Sequence, residues 1–380
     1  MNLALRDMRH NAPRFVLTTI GLGMLLGVVI SMVGIYAGAL DDALRLPRTA
    51  GADLWVVQPD TFGPFAEASR IPRDTRDLVR RIPGVAAAGA VTFQTVQTSA
   101  GGKPLRLFLQ GYEVGRPGGP ADIVAGHGLT ESHYQVVVDA SSGLRLGALV
   151  PLGPYRDLYT VVGLTSGMVT SAGDAVGWIT LLDAEALQFA VPPPLERREA
   201  AAGRIAPVTT DVNAVLVRLL PGVASAPVAA EIGRWKHLGA VTEPQEESFL
   251  TAFVIDKMQR QLGMFTAILI AVSAVIIALI IYTLTMDKLR SIATLKLIGA
   301  PDRTIVSLIV QQALALGIGG FMLGLALIML VKDYFPRRVE VQPGNLALLF
   351  GIVIVVCLFG SVLGVRAAVR VDPAKALASG

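Results

Sequence analysis

Charge-free apolar runs alternate with one long segment of mixed polarity. Residues 15–40, 262–286, 304–331 and 346–365 hold no charged side chain over runs of 20 to 28 positions. About 20 helical residues cross a hydrocarbon core of roughly 30 Å, so each run is predicted to be a membrane-spanning helix. Buried helices of soluble cores are typically about 10–14 residues long, and four runs of this length fit such a core poorly. The first run follows Arg6, Arg9 and Arg14 and contains Ala37-Gly38-Ala39, which imitates a secretory signal peptide. The apolar part of a signal is usually about 7–15 residues, so this run is read as a retained anchor.

Residues 41–244 follow other periods. Alternation over 90–98 and at Leu105, Leu107 and Leu109, with Gly101-Gly102 between, predicts a hairpin. Further strands are expected at 53–58, 135–138, 159–164, 177–182 and 213–219, with helices at 73–82 and 226–235. Together they predict an α+β domain. The stretch 191–204, with Pro192-Pro193-Pro194, reads as an exposed linker bounding an inserted lobe of about 129–207.

Past this domain Leu250, Val254, Met258 and Leu262 recur every four residues, while Glu246, Glu247, Lys257 and Arg260 are assigned to other faces. No Pro or Gly intervenes before Gly263. The second span is therefore expected to start outside the bilayer, as one helix of about 60 Å from about 245 to 286. The first span continues to Pro47, and the two form a stalk. The order is then an interfacial amphipathic helix (1–14), span one (15–40), the domain (41–244), the stalk helix (245–261) and span two (262–286). A loop (287–303), span three (304–331), a short outer loop (332–345), span four (346–365) and a tail (366–380) follow.

Composition agrees. Apolar residues make up 53% of the chain, charged residues only 16%, and mean hydropathy is +0.58. Soluble domains carry about 25% charged residues. Cys357 stands alone, which excludes a disulfide framework and a cysteine zinc site. A net charge of +4 gives no reason to expect nucleic acid. The charges orient the chain. Arg6, Arg9, Arg14, Lys288, Arg290, Lys296, Arg303, Arg366, Arg370 and Lys375 fall on one side, against Lys332, Arg337 and Arg338 on the other. Lys and Arg favour the cytoplasmic side, so both termini and the 287–303 loop are expected there.

The loop sequence S-I-A-T-L-K-L-I-G-A-P-D-R-T-I, residues 291–305, resembles the loop of FtsX/MacB-type ABC transporter permeases, and its A-T-L-K-x-I-G-A form is similar to the DevC-like branch. The opening L-A-L-R-D-M-R-H-N (3–11) resembles the family's helix before span one, and V-D-P-A-K-A-L (371–377) its closing segment. Many members have an acidic residue and a glycine near Ser291 and Ala293, and this chain has neither. The resemblance implies the MacB/FtsX fold, an α-helical four-span permease with its large α+β extracytoplasmic domain between spans one and two. It implies a second permease copy in a homodimer and a cytoplasmic ABC ATPase below. The chain holds no G-x-x-x-x-G-K-[ST] loop, so ATP and magnesium are expected on a separate ATPase polypeptide and no cofactor on this chain. A periplasmic adaptor and an outer-membrane channel are further implied partners. No substrate-defining motif is recognised.

Ile292, Leu295, Ile298 and Gly299 fit one face of a short helix that could seat in a groove on a motor, flanked by Lys296 and Arg303 and stopped by Gly299-Ala300-Pro301. An interfacial connector with cations on lipid headgroups would look much the same. Small-xxx-small pairs stand at Gly23 and Gly27, at Gly34 and Gly38, at Gly320 and Gly324, and at Gly360 and Gly364. Such pairs let helix backbones approach in lipid, and most are expected to pack spans within one subunit, with span one or two forming the dimer seam. Gln311-Gln312 is expected to hydrogen-bond between helices. His127 and His133 with Glu131 are read as surface residues, and no metal is assigned. Export or extraction of an amphiphilic, lipid-like cargo and FtsX-like activation of an external cell-wall hydrolase are the two functional expectations. A membrane enzyme with an external active site has no supporting motif.

Overall fold

A computed structural model describes residues 12–130, 132–170, 172–190, 198, 201–203, 211–287, 292–294, 297–298, 301–335 and 338–369. In chain order, α1 (Ala12–Thr49) precedes β1 (Leu54–Val57), β2 (Ile71–Pro72), α2 (Thr75–Val79), β3 (Val85–Ala100) and β4 (Lys103–Tyr112). Next come β5 (Ala125–Gly126), β6 (Gln135–Asp139), β7 (Leu149–Leu152), β8 (Asp157–Thr165), β9 (Ala175–Thr180) and α3 (Leu181–Gln188). They are followed by β10 (Asp211–Val212), β11 (Ala214–Leu219), α4 (Ser225–Gly233), β12 (Gly239–Thr242) and α5 (Glu243–Phe249). A π-helical stretch, Leu250–Ile255, joins α5 to α6 (Asp256–Asp287). The last helices are α7 (Asp302–Val331) and α8 (Pro343–Val369).

These elements form two units, Met1–Gly38 with Met258–Gly380, and Ala39–Lys257. The first holds the apolar runs, on four helices long and apolar enough to cross a membrane. Its core runs through Leu22, Leu26 and Ile30 of α1, Ile277 and Ile281 of α6, Ile309, Leu316 and Phe321 of α7, and Leu349 and Val353 of α8.

The second unit is built on one ten-stranded sheet in the order β12-β1-β11-β3-β4-β9-β6-β8-β5, with β7 also paired to β8. The hairpin read from alternation is β3/β4, closed by Gly101 and Gly102 at φ of 55° and 80°. Two left-handed residues in a two-residue loop match the right-handed twist of the flanking strands, and glycine reaches that region without strain. Burial on both faces explains the unbroken apolar sequence of β1. Trp55 and Val57 enter a core with Leu46 and Ala50 of α1 and with Val91 and Leu216. Leu54 and Val56 enter a second core, under Val79 of α2 and Val228 and Ile232 of α4.

Residues 129–207, read from sequence as an inserted lobe, supply β6 to β9 and α3, and their strands continue the same sheet. β9 lies parallel to β4, from Leu107↔Ala175 to Tyr112↔Thr180. Leu107 and Leu109 of β4 share a third core with Val136, Val138, Val150, Tyr159 and Ile179. Most of the linker expected at 191–204 lies outside the described residues. The strand expected at 177–182 ends at Thr180, whose hydroxyl accepts the Asp183 N–H at 3.2 Å and caps α3. Neither α3, β7 nor β12 was expected from the sequence.

Candidate coupling machinery

Within the membrane unit α1 and α6 run antiparallel. Arg14 pairs with Asp287 near one end, and the Tyr36 hydroxyl donates to Gln259 Oε1 at 3.0 Å near the other. Both contacts are exposed and worth little on their own. The glycines make closer ones. A Cβ on Gly324 of α7 would lie 2.7 Å from the Gly23 carbonyl oxygen and 2.8 Å from the Gly27 nitrogen of α1. A Cβ on Gly320 would lie 2.9 Å from Leu22 Cγ. The pair Gly23 and Gly27 and the pair Gly320 and Gly324 are therefore each other's mates. Gly360 and Gly364 of α8 both face α6. A Cβ on Gly360 would lie 3.3 Å from Ala278 Cα, and one on Gly364 would lie 2.8 Å from Thr285 Oγ1 and 3.2 Å from Ile281 Cγ2. Gly364 therefore meets side chains of α6, where Gly360 meets its backbone. Gly34 and Gly38 seat no helix, which corrects their expected role in packing spans. They receive the extended segment 338–340, and the Glu340 N–H donates to the Gly34 carbonyl at 2.9 Å.

Within the sheet unit the Arg48 guanidinium of α1 donates to Glu247 at 2.5 Å. Thr242 and Gln245 form a capping box with Pro244 in the first turn, which starts α5 two residues ahead of the expected position. Helical backbone is then continuous from Glu243 to Asp287, with the π-helical turn inside it. Of the stalk stripe, Leu250 is buried, Met258 and Leu262 are half-buried, and the side chain of Val254 lies outside the described residues. The structure corrects the place of Glu246. It stands one turn before Leu250 in the same every-four row, and it is fully buried. Burial pushes its carboxyl up to about 8, against the opposing effect of the Phe65 amide. The four-residue spacing from Leu250 was the available signal, passed over because the residue is charged.

The loop before α7 is described in part. Leu295, Lys296, Gly299 and Ala300 lie outside the described residues, as do 1–11 and 370–380, which hold the expected interfacial helix and closing segment. Residues 292–294 are helical. Ile292, expected on a docking face with Ile298, is only 4% exposed and packs into the same core as Ile305 and Ile309. That burial removes it from any surface a partner could touch. Among the described residues of this loop Leu297 at 61% and Ile298 at 79% exposure are the apolar side chains presented, and the Ile298 N–H donates to the Thr294 carbonyl. Arg303 is exposed in the first turn of α7, whose N-cap is Pro301.

Gln311 donates to Ser307 Oγ of its own helix at 3.1 Å, and Gln312 is buried. The His133 ring meets the buried Asp183 carboxylate at 2.7 Å, and the His127 ring meets the Gly128 carbonyl. Glu131 lies outside the described residues. Among the described residues no three His, Cys, Asp or Glu side chains gather as a metal site.

The profile of the MacB-like periplasmic core domain matches residues 15–235, and that of the FtsX-like permease C-terminal matches residues 263–373. Among curated proteins, an uncharacterized ABC transporter permease of Mycobacterium tuberculosis strain H37Rv is 25% identical over 374 residues, covering 98% of both chains. Another uncharacterized ABC transporter permease, from Mycobacterium bovis, is 24% identical over 375 residues, again 98% of each. Among solved structures, the periplasmic region of MacB from Actinobacillus actinomycetemcomitans aligns at a TM-score of 0.38 and 13% identity, covering 53% of this chain and 94% of that one. The extracellular domain of the noncanonic ABC-type transporter YknZ from Gram-positive bacteria aligns at 0.33 and 11%, covering 50% and 100%. Four apolar helices, a large domain between the first two and profile matches across both place the chain plainly: it belongs to the MacB/FtsX family of ABC transporter permeases.

Proposed function

We propose that this permease is moved by a separate cytoplasmic ABC ATPase, which binds the ATP and magnesium, and that it transmits that motion through its helices to drive export or extraction of an amphiphilic, lipid-like cargo. The observation that carries the reading is that α1 and the helical backbone from Glu243 to Asp287 each contribute residues to both the membrane unit and the sheet unit. A push on the 287–303 loop reaches the second of these helices at its end, and helical hydrogen bonding stiffens it on either side of its π-helical turn. Leu297, Ile298 and Arg303 are the exposed groups that would meet the motor. Two copies would pair as a homodimer, with both termini in the cytoplasm of a bacterial inner membrane. A periplasmic adaptor and an outer-membrane channel would take the cargo on. The cargo class rests on the DevC-like form of the loop.

The test is a double variant, Ile298→Asp with Arg303→Glu, in cells carrying the intact complex. Membrane insertion and yield stay unchanged, while ATP-dependent export falls at least about tenfold, the effect of losing roughly 1.4 kcal/mol of coupling. Unchanged export would remove the loop from the path of force. Purification with the sheet unit's bound partners separates export from signalling: an adaptor supports transport, a peptidoglycan hydrolase the FtsX-like role.

A further inference from the structure

Glu246 makes no contact that accounts for it. The side chain is fully buried; the nearby Phe65 amide acts to lower its carboxyl, yet among the described residues no donor reaches either oxygen in hydrogen-bonding geometry. An ionised carboxylate without a partner in such a site is costly, and the usual resolution is a bound proton. The carboxyl rests on the tip of the loop that joins β1 to β2. Gly63 there has φ of 83°, and a Cβ on it would overlap Glu246 Oε2, so the glycine is the seat of this side chain. The same tip holds to the same helix one turn on, through an edge-to-face contact of Phe62 with Phe249 at 5.5 Å. Phe65 closes the tip against Phe93 at 5.0 Å.

The base of the loop is fixed independently. Gln58 N–H donates to Ser69 Oγ at 2.9 Å, and Asn213 Nδ2 donates to the Ser69 carbonyl at 2.9 Å. Movement is thereby confined to residues between these ties. Charged groups on the surrounding elements are Asp60, Glu67 and Arg70 on the loop, Asp41, Asp42, Arg45 and Arg48 on α1, and Glu243 and Glu247 on its own helix. Glu67 accepts the Phe62 N–H, Arg48 is taken up by Glu247, and β1 and β12 carry no charge. None of them figures among the causes of the Glu246 shift.

We propose that Glu246 is a proton-binding site outside the membrane spans, and that loss of its proton lifts the Gly63 loop from the helix that continues into the second span. The sign follows from linkage. Glu246 ionises near 4.5 when exposed and at about 8 when seated. The proton therefore stabilises the seated loop fully below about 4.5, and that stabilisation is lost as pH rises through about 8. The inference does not rest on transport or on the ATPase, since the seat and its occupant belong to this chain alone.

Hydrogen–deuterium exchange on the full-length protein in lipid nanodiscs tests it, each peptide being normalised to its intrinsic rate at each pH. Exchange of 59–67 should rise about tenfold per unit from pH 6.5 to about 8 and level off by pH 9.5, while β6 stays protected. In Glu246→Gln the loop should stay protected across that range. In Gly63→Ala it should exchange at pH 6.5 as freely as the unmodified protein does at pH 9.5, with β6 again protected. A flat profile in the unmodified protein overturns the proposal. So does a Glu246→Gln or Gly63→Ala loop that titrates as the unmodified one does.

Discussion

The membrane unit and the sheet unit are both rich in apolar residues, and they satisfy their buried polar groups in opposite ways. In the membrane unit the buried serine and threonine hydroxyls bond back along their own helices. Ser31 donates to Val28, Ser273 to Leu269, Thr285 to Ile281 and Ser361 to Leu358, always to a backbone carbonyl three or four residues earlier. In the sheet unit they bond across the chain. Buried Asp139 accepts from Ser141, Thr165 and Met168, and Asn213 joins Phe93 to Ser69. A local bond closes a polar group off from lipid without choosing a neighbour, so in the membrane unit the choice falls to close backbone approach. In the sheet unit polar groups carry part of the specification themselves.

Three substitutions, the first with a control, probe that contrast, in order of expected effect. Gly324→Leu should be the most damaging, since any side chain there meets the α1 backbone at Gly23 and Gly27. A loss of about 3 kcal/mol or more, read as a collapse in the yield of monodisperse protein from membranes, is the expected result. Gly351→Leu, at a position whose Cβ would meet nothing within 4 Å, should leave yield unchanged and serves as its partner. Asp139→Ala should destabilise the sheet unit by about 3 kcal/mol by orphaning buried donors, which shows as earlier thermal loss of β6 and β8 exchange protection. The smallest effect belongs to Ser273→Ala, within about 0.6 kcal/mol in thermal unfolding because its bond is internal to α6. A large loss there would undo the contrast.

How much of this was legible in the sequence divides along the same line. The four spans could be read because lipid excludes charge from a run of fixed length, and the β3/β4 hairpin because one alternating pattern met a Gly-Gly turn. Spacing alone found the small pairs but not their mates, since Gly320 and Gly324 would look the same packed on α1, on α6 or on another copy. The parallel contact of β9 with β4 joins segments far apart in the chain and has no local signature. Ile292 and Ile298 were assigned one face from periodicity, whereas the fold buries the first and exposes the second. Glu246 was hidden by its chemistry, a charged residue in a row otherwise filled by Leu250 and Met258.

The π-helical turn at Leu250–Ile255 has a mechanical consequence. A π turn accommodates more residues than an α turn over a comparable rise, so this stretch is slack wound into an otherwise taut rod. Slack of that kind can be passed along a helix as hydrogen bonds exchange partners one at a time. A helix so built can take up a local change of length without giving up its backbone bonds.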